Sequence, residues 1–117
     1  MQLSACPDTP NCISSQAPDT THFIAPIPYS GAAESALQRL RTVLASLPRT
    51  TITAEQGAYL HAEARSRVFR FVDDIEFLLD TEQQLIHVRS ASRTGYSDFG
   101  VNRRRVAHIR AAFMKVP

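Results

Sequence analysis

The chain has 117 residues and a formal net charge of +2, with 44% hydrophobic and 21% charged residues. This length fits one domain with a single core, and the composition is that of an ordinary globular protein. The small net charge does not support nucleic-acid binding, and no apolar run approaches the roughly 20 residues that span a membrane. We therefore expect no nucleic-acid partner and no transmembrane segment in this sequence.

Residues 1–20 are rich in Pro, Ser, Thr, Asp and Gln. They are interpreted as an extended arm that precedes a single α+β domain over residues 21–117. Within the arm, Cys6 and Cys12 flank a loop whose two prolines and asparagine favour a turn. We expect a disulfide between them, with free thiols as the alternative. The spacing fits neither a zinc site nor a Cys-x-x-Cys redox motif.

A disulfide indicates an oxidising compartment. The four residues Leu3–Cys6 read "LSAC", which is similar to the last part of a lipoprotein signal. We therefore expect the protein in the cell envelope or periplasm, derived from a lipoprotein. A cytoplasmic location is the alternative.

Prolines confine the short apolar run at 21–28 to an edge strand or an extended segment. A helix is predicted next, capped by Ser30 or Gly31, favoured by Glu34 at its positive end and ended by Pro48. Four leucines at helical spacing form its apolar stripe: Leu37, Leu40, Leu44 and Leu47.

Two strand-like segments follow at 50–53 and 58–65, and the second alternates apolar with polar residues. The longest strand candidate is 68–80, whose odd positions are apolar with the exception of Asp73. These apolar positions are Phe69, Phe71, Ile75, Phe77 and Leu79.

A turn centred on Glu82 and Gln83 pairs this strand with the segment 85–92 in one antiparallel register. That register puts all apolar partners on one face, as burial of that face requires. On the other face Glu76 lies opposite Arg89, a favourable pair of charges. The predicted pairs on the buried face are Leu79 with Ile86, Phe77 with Val88, Ile75 with Ser90 and Asp73 with Ser92.

The chain ends in a helix with the apolar stripe Val106, Ile109, Phe113 and Val116. Extended backwards, the stripe reaches Asn102 and Phe99, so the helix starts either near Asp98 or later with Asn102 as its cap. The predicted order is strand, helix, four strands, helix. We therefore predict an α+β fold with an extended N-terminal arm: a single four- to five-stranded antiparallel sheet with two helices on one face.

Asp73 is a carboxylate on an otherwise apolar strand face, where an unpaired charge is costly. Arginines and hydroxyls lie across the end of the predicted hairpin, which favours a structural salt bridge. A β-bulge at Asp73 and Asp74 that turns one of them outward is a second structural interpretation. The functional interpretation is a positioned acid or base with a shifted pKa.

The polar segment from Arg89 to Arg105 holds five arginines. Arg103, Arg104 and Arg105 open the final helix, an end that prefers anions, so they favour a phosphate, sulfate or carboxylate ligand. Pairing of these arginines with Asp73, Asp74 or Asp98 is the alternative. The candidate ligand-binding residues are Asp73, Asp74, Glu76, Arg89, Ser90, Ser92, Arg93, Asp98, Asn102 and Arg103.

Three blocks, "CPDTPNCISSQA", "FVDDIEFLLD" and "RSASRTGYSDFGVNRRR", together resemble the bacterial and plastid family catalogued as domain of unknown function 1499. The resemblance extends from Cys6 to about Arg110. It implies a small domain, often found in proteins with a lipoprotein signal or membrane segments, and it implies no activity. The family's recurrent positions correspond here to Cys6, Pro7, Pro10, Asn11, Cys12, Ser14, Ser15, Asp73, Asp74, Glu76, Arg89, Ser90, Ser92, Arg93, Gly95, Asp98, Asn102 and Arg103.

We expect a non-catalytic, envelope-associated module that binds an anionic or polar ligand or an envelope protein, without a cofactor or a metal. The second hypothesis is a hydrolase or isomerase with Asp73 or Asp98 as base and Arg93 or Arg103 holding an anion. The third is a purely structural module. Charged residues that point into an open pocket would favour the first two hypotheses, and a closed network of pairs would favour the third.

Overall fold

The fold is an antiparallel sheet with two helices, seen in a computed structural model that describes residues 2–67 and 71–117. The part of the long predicted strand at 68–70 lies outside these residues. In chain order the elements are β1 (Cys12–Ser14), β2 (Ile27–Pro28), α1 (Ala33–Ser46), β3 (Thr50–Gln56), β4 (Tyr59–Arg65), β5 (Val72–Asp80), β6 (Leu85–Ser92) and α2 (Val101–Lys115).

The strand order across the sheet is β1-β6-β5-β4-β3, and β2 also pairs with β6. The short strands β1 and β2 lie end to end along the same edge of β6, near Ser90 and Ile86 respectively. The α+β class is therefore confirmed, but the described residues form six strands rather than four to five.

The additional strand, β1, lies within the segment predicted as an extended arm. Its three residues, Cys12–Ser14, are all buried, so they show no alternation from which a strand could be predicted. Backbone bonds continue the pairing on both sides: Ser92 donates to the carbonyl of Asn11 at 3.0 Å, and Ser15 donates to that of Val88 at 2.9 Å. Residues 11–15 of the predicted arm are thus an integral part of the sheet.

The β5–β6 hairpin has the predicted register. Leu79 pairs with Ile86 and Asp73 pairs with Ser92, and the intervening pairs also follow the prediction. The register of β5 is continuous on both sides, so the bulge considered at Asp73 and Asp74 does not occur. Phe71 precedes β5 and is 57% exposed, contrary to its predicted place on the buried face.

One core joins both helices to the inward face of the sheet. α1 contributes three of the predicted leucines, and α2 contributes three residues of its predicted stripe. The buried members from these helices are Ala36, Leu37, Leu40, Val43, Leu44, Val106, Ile109 and Phe113. The sheet contributes the alternate residues of β4, β5 and β6, so the opposite face of these strands is left without a helix.

The helix starts differ from the predictions. The N-cap of α1 is Ala32, not Ser30 or Gly31, and no side chain caps it. The N-cap of α2 is Gly100, two residues after Asp98, so the alternative that starts the helix near Asp98 is the closer one and Asn102 is not the cap. The stripe of α2 does not continue back to Phe99, which is 85% exposed.

Cys6 and Cys12 form the expected disulfide, and Cys12 is the first residue of β1. The bond uses the sulfur of Cys6, and a lipid attached to that cysteine would need the same sulfur atom. Lipidation at Cys6 and the disulfide are therefore mutually exclusive in one molecule.

Reduction of the Cys6–Cys12 bond should lower the free energy of unfolding by about 2 kcal/mol, because the short loop gains freedom in the unfolded chain. Mass spectrometry before and after reduction should show a gain of two hydrogens. Urea unfolding with and without reductant measures the energy, and Cys6→Ser/Cys12→Ser should be insensitive to the reductant. Equal unfolding midpoints for the oxidised and reduced protein would contradict the expected stabilisation.

Candidate functional site

The candidate residues lie on both faces of the sheet, because side chains alternate along a strand. Asp73, Ser90 and Ser92 point towards the helices, and the neighbouring outward positions include Asp74 and Arg93. The sequence prediction placed all these residues in one site, whereas the structure separates them into two networks.

The inner network lies between β5, β6 and the start of α2. Its members are Asn11, Asp73, Ser90, Ser92, Asp98, Asn102 and Arg105.

Asn102 is the centre of the inner network and is completely buried. Its Oδ1 accepts a bond from Ser90 Oγ at 2.6 Å, and its Nδ2 donates to Ser92 Oγ at 3.0 Å. Nδ2 also donates to Asp98 Oδ2 at 2.8 Å and approaches the carbonyl of Asn11 at 3.3 Å. This side chain therefore joins α2 to β6 and to the residue before β1.

Asp73 is paired with Arg105 across the inner network. The distance from Asp73 Oδ2 to Arg105 Nη2 is 2.7 Å, and the side chains are 13% and 19% exposed. Arg105 Nη1 also donates to Asn102 Oδ1 at 2.7 Å. The ion pair considered for Asp73 is thus present, with the third arginine of the triplet as its partner.

Asp98 performs the capping role at the start of α2, although it lies before the helix. Its carboxylate accepts bonds from the backbone N–H groups of Gly100 and Asn102 at 2.8 and 3.1 Å. Burial acts to raise the pKa of this carboxyl group, but the hydrogen bonds from Asn102 and the backbone lower it overall. The helix-end donors at Gly100 and Asn102 are therefore already satisfied within the chain.

The outer network lies on the sheet face without helices. Its members form two clusters of hydrogen bonds and ion pairs: Tyr59, Glu76 and Arg89 in one, and His61, Glu63, Asp74 and Arg93 in the other.

Asp74 forms two hydrogen bonds with Arg93, at 2.8 and 2.9 Å, and lies 2.8 Å from Nε2 of His61. Arg93 also binds Glu63 at 2.7 Å. The guanidinium of Arg93, followed by His61, lowers the pKa of Asp74 below its ordinary value of 3.8. Asp74 is consequently held as a carboxylate and is a weak general base.

Glu76 accepts a bond from the hydroxyl of Tyr59 at 2.6 Å and pairs with Arg89 at 3.3 Å, as its cross-strand position predicts. Burial, together with Glu76, raises the pKa of Tyr59. Arg89 also donates to the carbonyl of Ala5, which ties the N-terminal segment to this face. Its Nε is buried without a partner in the part of the chain that is described.

Arg103 belongs to neither network. Its Nη1 and Nη2 donate to the backbone carbonyls of Phe23 and Thr21 at 2.9 and 3.0 Å. Arg104 likewise donates to a backbone carbonyl, that of Phe99, at 2.9 Å. Among the described residues, neither arginine has a carboxylate partner.

A cleft of about 310 Å³ lies where the end of α1, the adjoining ends of β3 and β4, and the start of α2 meet. Apolar side chains, including Leu47 and Val101, line part of it. Among the described residues that line it, none is acidic. We call it the basic cleft, after its cationic or titratable lining residues Arg49, Arg65, Arg104, Arg105 and His108.

Two arginines of the basic cleft have no charge partner among the described residues. Arg49 Nε donates to the backbone carbonyl of Arg65 at 3.2 Å, and Arg104 donates to that of Phe99. By contrast, Arg65 lies 3.5 Å from Glu63, and Arg105 is paired with Asp73. The cleft therefore carries unneutralised positive charge from two separate parts of the chain.

Sequence reasoning missed most of the basic cleft. Arg49 and Arg65 are isolated in the sequence, and only the tertiary fold brings them beside the arginine triplet. His108 lies one turn after Arg104 on α2. In the outer network it missed Glu63 as a partner of Arg93 and His61 as a partner of Asp74. The polar face of β4 was the available signal, since both residues lie on it.

No helix within residues 2–67 and 71–117 has the length and hydropathy that a membrane-spanning helix requires. Over the same residues, no three metal-ligating side chains come together in a possible metal site.

The fold and the two networks define a small, disulfide-bonded α+β domain with an antiparallel sheet and helices packed against one of its faces. Residues 2–113 match the family described as "Protein of unknown function (DUF1499)". The chain belongs to that family, as the resemblance indicated. No curated protein matches the chain.

Asn102→Ala should lower the free energy of unfolding by about 3 kcal/mol, because the substitution leaves several buried polar partners without hydrogen bonds. Urea denaturation measures the change. His108→Ala, an exposed substitution on the same helix, is the control and should change stability by less than about 0.5 kcal/mol. Equal effects of the two substitutions would contradict the structural role of Asn102.

Stability should fall as the pH drops below about 4, because Asp74 has a lower pKa folded than unfolded. The stabilisation is present above the unfolded pKa of about 3.8 and is lost as the pH falls through the lower, folded value. Urea unfolding between pH 2.5 and 6 should show a shallower pH dependence in Asp74→Asn than in the wild type. Parallel curves for the two proteins would refute this assignment.

Proposed function

We propose that the domain is a non-catalytic binding module whose basic cleft holds the anionic group of a small ligand. The observation that carries this proposal is the convergence of cationic side chains in a cleft with no acidic residue among its described lining. Like charges so arranged repel one another, and an anion in the cleft would relieve that repulsion.

Arginine suits this role because its planar guanidinium donates two parallel hydrogen bonds to a phosphate or a carboxylate. Arg49 and Arg104 have free donor capacity, since each has one bond to a carbonyl among the described residues. The start of α2 contributes partial positive charge near Arg104. Because Asp98 already accepts the first N–H groups of that helix, side chains rather than backbone groups would contact the anion.

The pairing of the acidic residues supports a non-catalytic role. Asp73 is engaged by Arg105, and the hydrogen bonds around Asp98 keep its pKa low. Arg93, one of the anion-holding residues in the enzyme hypothesis, lies on the opposite face of the sheet from Asp73. Both candidate bases, Asp73 and Asp98, are therefore already bound to other groups of the fold.

The ion pairs and hydrogen bonds of most predicted candidate residues support a structural role for them within the binding module. The inner network connects Arg105 to Asp73 at the wall of the basic cleft, and Asn102 attaches the start of α2 to the sheet. In this proposal these residues position the site, while Arg49 and Arg104 contact the ligand.

The disulfide supports a location in an oxidising compartment, which for this protein we propose to be the cell envelope or periplasm. A ligand or an envelope protein that carries phosphate or carboxylate groups would suit the basic cleft there.

Inorganic phosphate should bind at the cleft, as measured by amide NMR shifts during a titration at constant ionic strength. The largest shifts should occur at Arg49, Arg65 and Arg104. Arg49→Ala/Arg104→Ala should weaken binding about tenfold or more, because it removes two charged hydrogen-bond donors.

Lys115→Ala is the matched control, since it removes an exposed positive charge at the far end of the same helix. Its affinity for phosphate should equal that of the wild type. Unchanged affinity in the double arginine variant, or shifts spread evenly over the protein, would overturn the proposed site.

A further inference from the structure

We propose that the end of the domain bearing the basic cleft docks on an anionic lipid surface, with headgroup phosphates at the cleft and aromatic side chains inserted beside it. This inference rests on the proposed function, because the same arginines bind the phosphate groups. It adds an apolar contact that a free phosphate would not make.

The aromatic side chains are Tyr96 and Phe99, which are 69% and 85% exposed. Both lie in the loop 93–100 between β6 and α2. An aromatic ring this exposed is unfavourable in water, and clustered exposed apolar groups mark interaction surfaces. Phe71, 57% exposed, precedes β5 at the same end of the sheet.

The conformation of Phe99 has an energetic cost. Its φ of 53° lies in the left-handed region, which a bulky residue rarely adopts. Local bonds hold it there: its N–H donates to Ser97 Oγ at 3.2 Å, and its carbonyl accepts from Arg104. The chain therefore sustains a strained backbone at the residue whose ring points into solvent, and such strain is concentrated at functional sites.

The loop is attached to the scaffold. Asn11 Nδ2 donates to the carbonyl of Gly95 at 2.8 Å, and Asp98 accepts the N–H of Gly100. Because the loop is already held in place, it loses little conformational entropy when the rings bind.

The loop 93–100, which we call the aromatic loop, is directly connected to the basic cleft. Arg104 lines the cleft and donates to the carbonyl of Phe99, and Val101, 39% exposed, lines the cleft one residue after Gly100. Aromatic side chains at the interfacial level, together with arginines near anionic headgroups, are the combination that anchors proteins to membrane surfaces. Rings at the tip of a loop can enter lipid without the complementary pocket that a protein partner would need.

Vesicle binding tests the docking. The oxidised wild-type protein should co-sediment with vesicles of phosphatidylglycerol and phosphatidylcholine, and should remain in solution with phosphatidylcholine alone. Added salt should release it, since the attraction is electrostatic. Tyr96→Ser/Phe99→Ser should reduce partitioning about tenfold or more, and Met114→Ser, another exposed apolar position on α2, should not.

Fluorescence locates the inserted residue, because the sequence contains no tryptophan. Phe99→Trp should show a blue-shifted emission and protection from an aqueous quencher when phosphatidylglycerol vesicles are added. Met114→Trp is the control and should show neither change.

The outcomes separate this inference from the proposed function. Phosphate binding without vesicle binding would overturn the docking and leave the anion site intact. Vesicle binding without phosphate binding at the cleft would overturn the small-ligand function and support docking. Equal binding to vesicles of phosphatidylcholine, or a wild-type dimer in sedimentation velocity that Phe99→Ser dissociates, would overturn the proposed lipid surface.

Discussion

The architecture depends on the buried amide of Asn102. A buried amide without partners would be costly, and this one is satisfied by groups from β6, from the turn before α2 and from the residue before β1. Because these partners belong to β6, to the turn before α2 and to the distant residue Asn11, the amide selects one relative placement of α2 and the sheet. The Asp73–Arg105 ion pair beside it depends on the same placement. Polar contacts therefore supply specificity at the end of the domain where the apolar core gives way to polar groups.

Arginines in this protein fall into distinct electrostatic classes, which composition does not distinguish. Arg89, Arg93 and Arg105 lie beside carboxylates. Arg104 binds a backbone carbonyl, and its positive charge has no carboxylate partner among the described residues. The paired arginines strengthen the scaffold. Two of the unneutralised arginines, Arg49 and Arg104, line the basic cleft, so a nearly balanced net charge is compatible with a locally cationic surface.

Much of the fold could be predicted from the sequence, because burial on one side constrains the pattern strongly. The β5–β6 register followed from the requirement that the pairs Leu79–Ile86 and Glu76–Arg89 both be satisfied. The strand β1 could not be predicted, since its three residues are all buried and therefore show no alternation of apolar and polar side chains. Phe71 and Phe99 were misplaced because apolar residues were assumed to be buried.

The site was less predictable than the fold, for a physical reason. A strand pattern identifies which residues share a face, but the partner of Asp73 had to come from a helix whose start was ambiguous by several residues. The basic cleft requires the spatial meeting of Arg49 with Arg104, and these residues belong to elements that are far apart in the sequence. The list of candidate residues and the resemblance to a family both gathered residues from the two networks into one site.

The disulfide lies close to the residue that holds the loop 93–100 in place. Cys12 directly follows Asn11, whose side chain holds Gly95 and whose carbonyl faces Asn102. When the bond is open, the backbone pairing of β1 and the hydrogen bonds of Asn11 itself must orient this residue. Closure of the Cys6–Cys12 bond therefore restricts the segment from which Asn11 holds Gly95, so the disulfide and the loop 93–100 are mechanically connected.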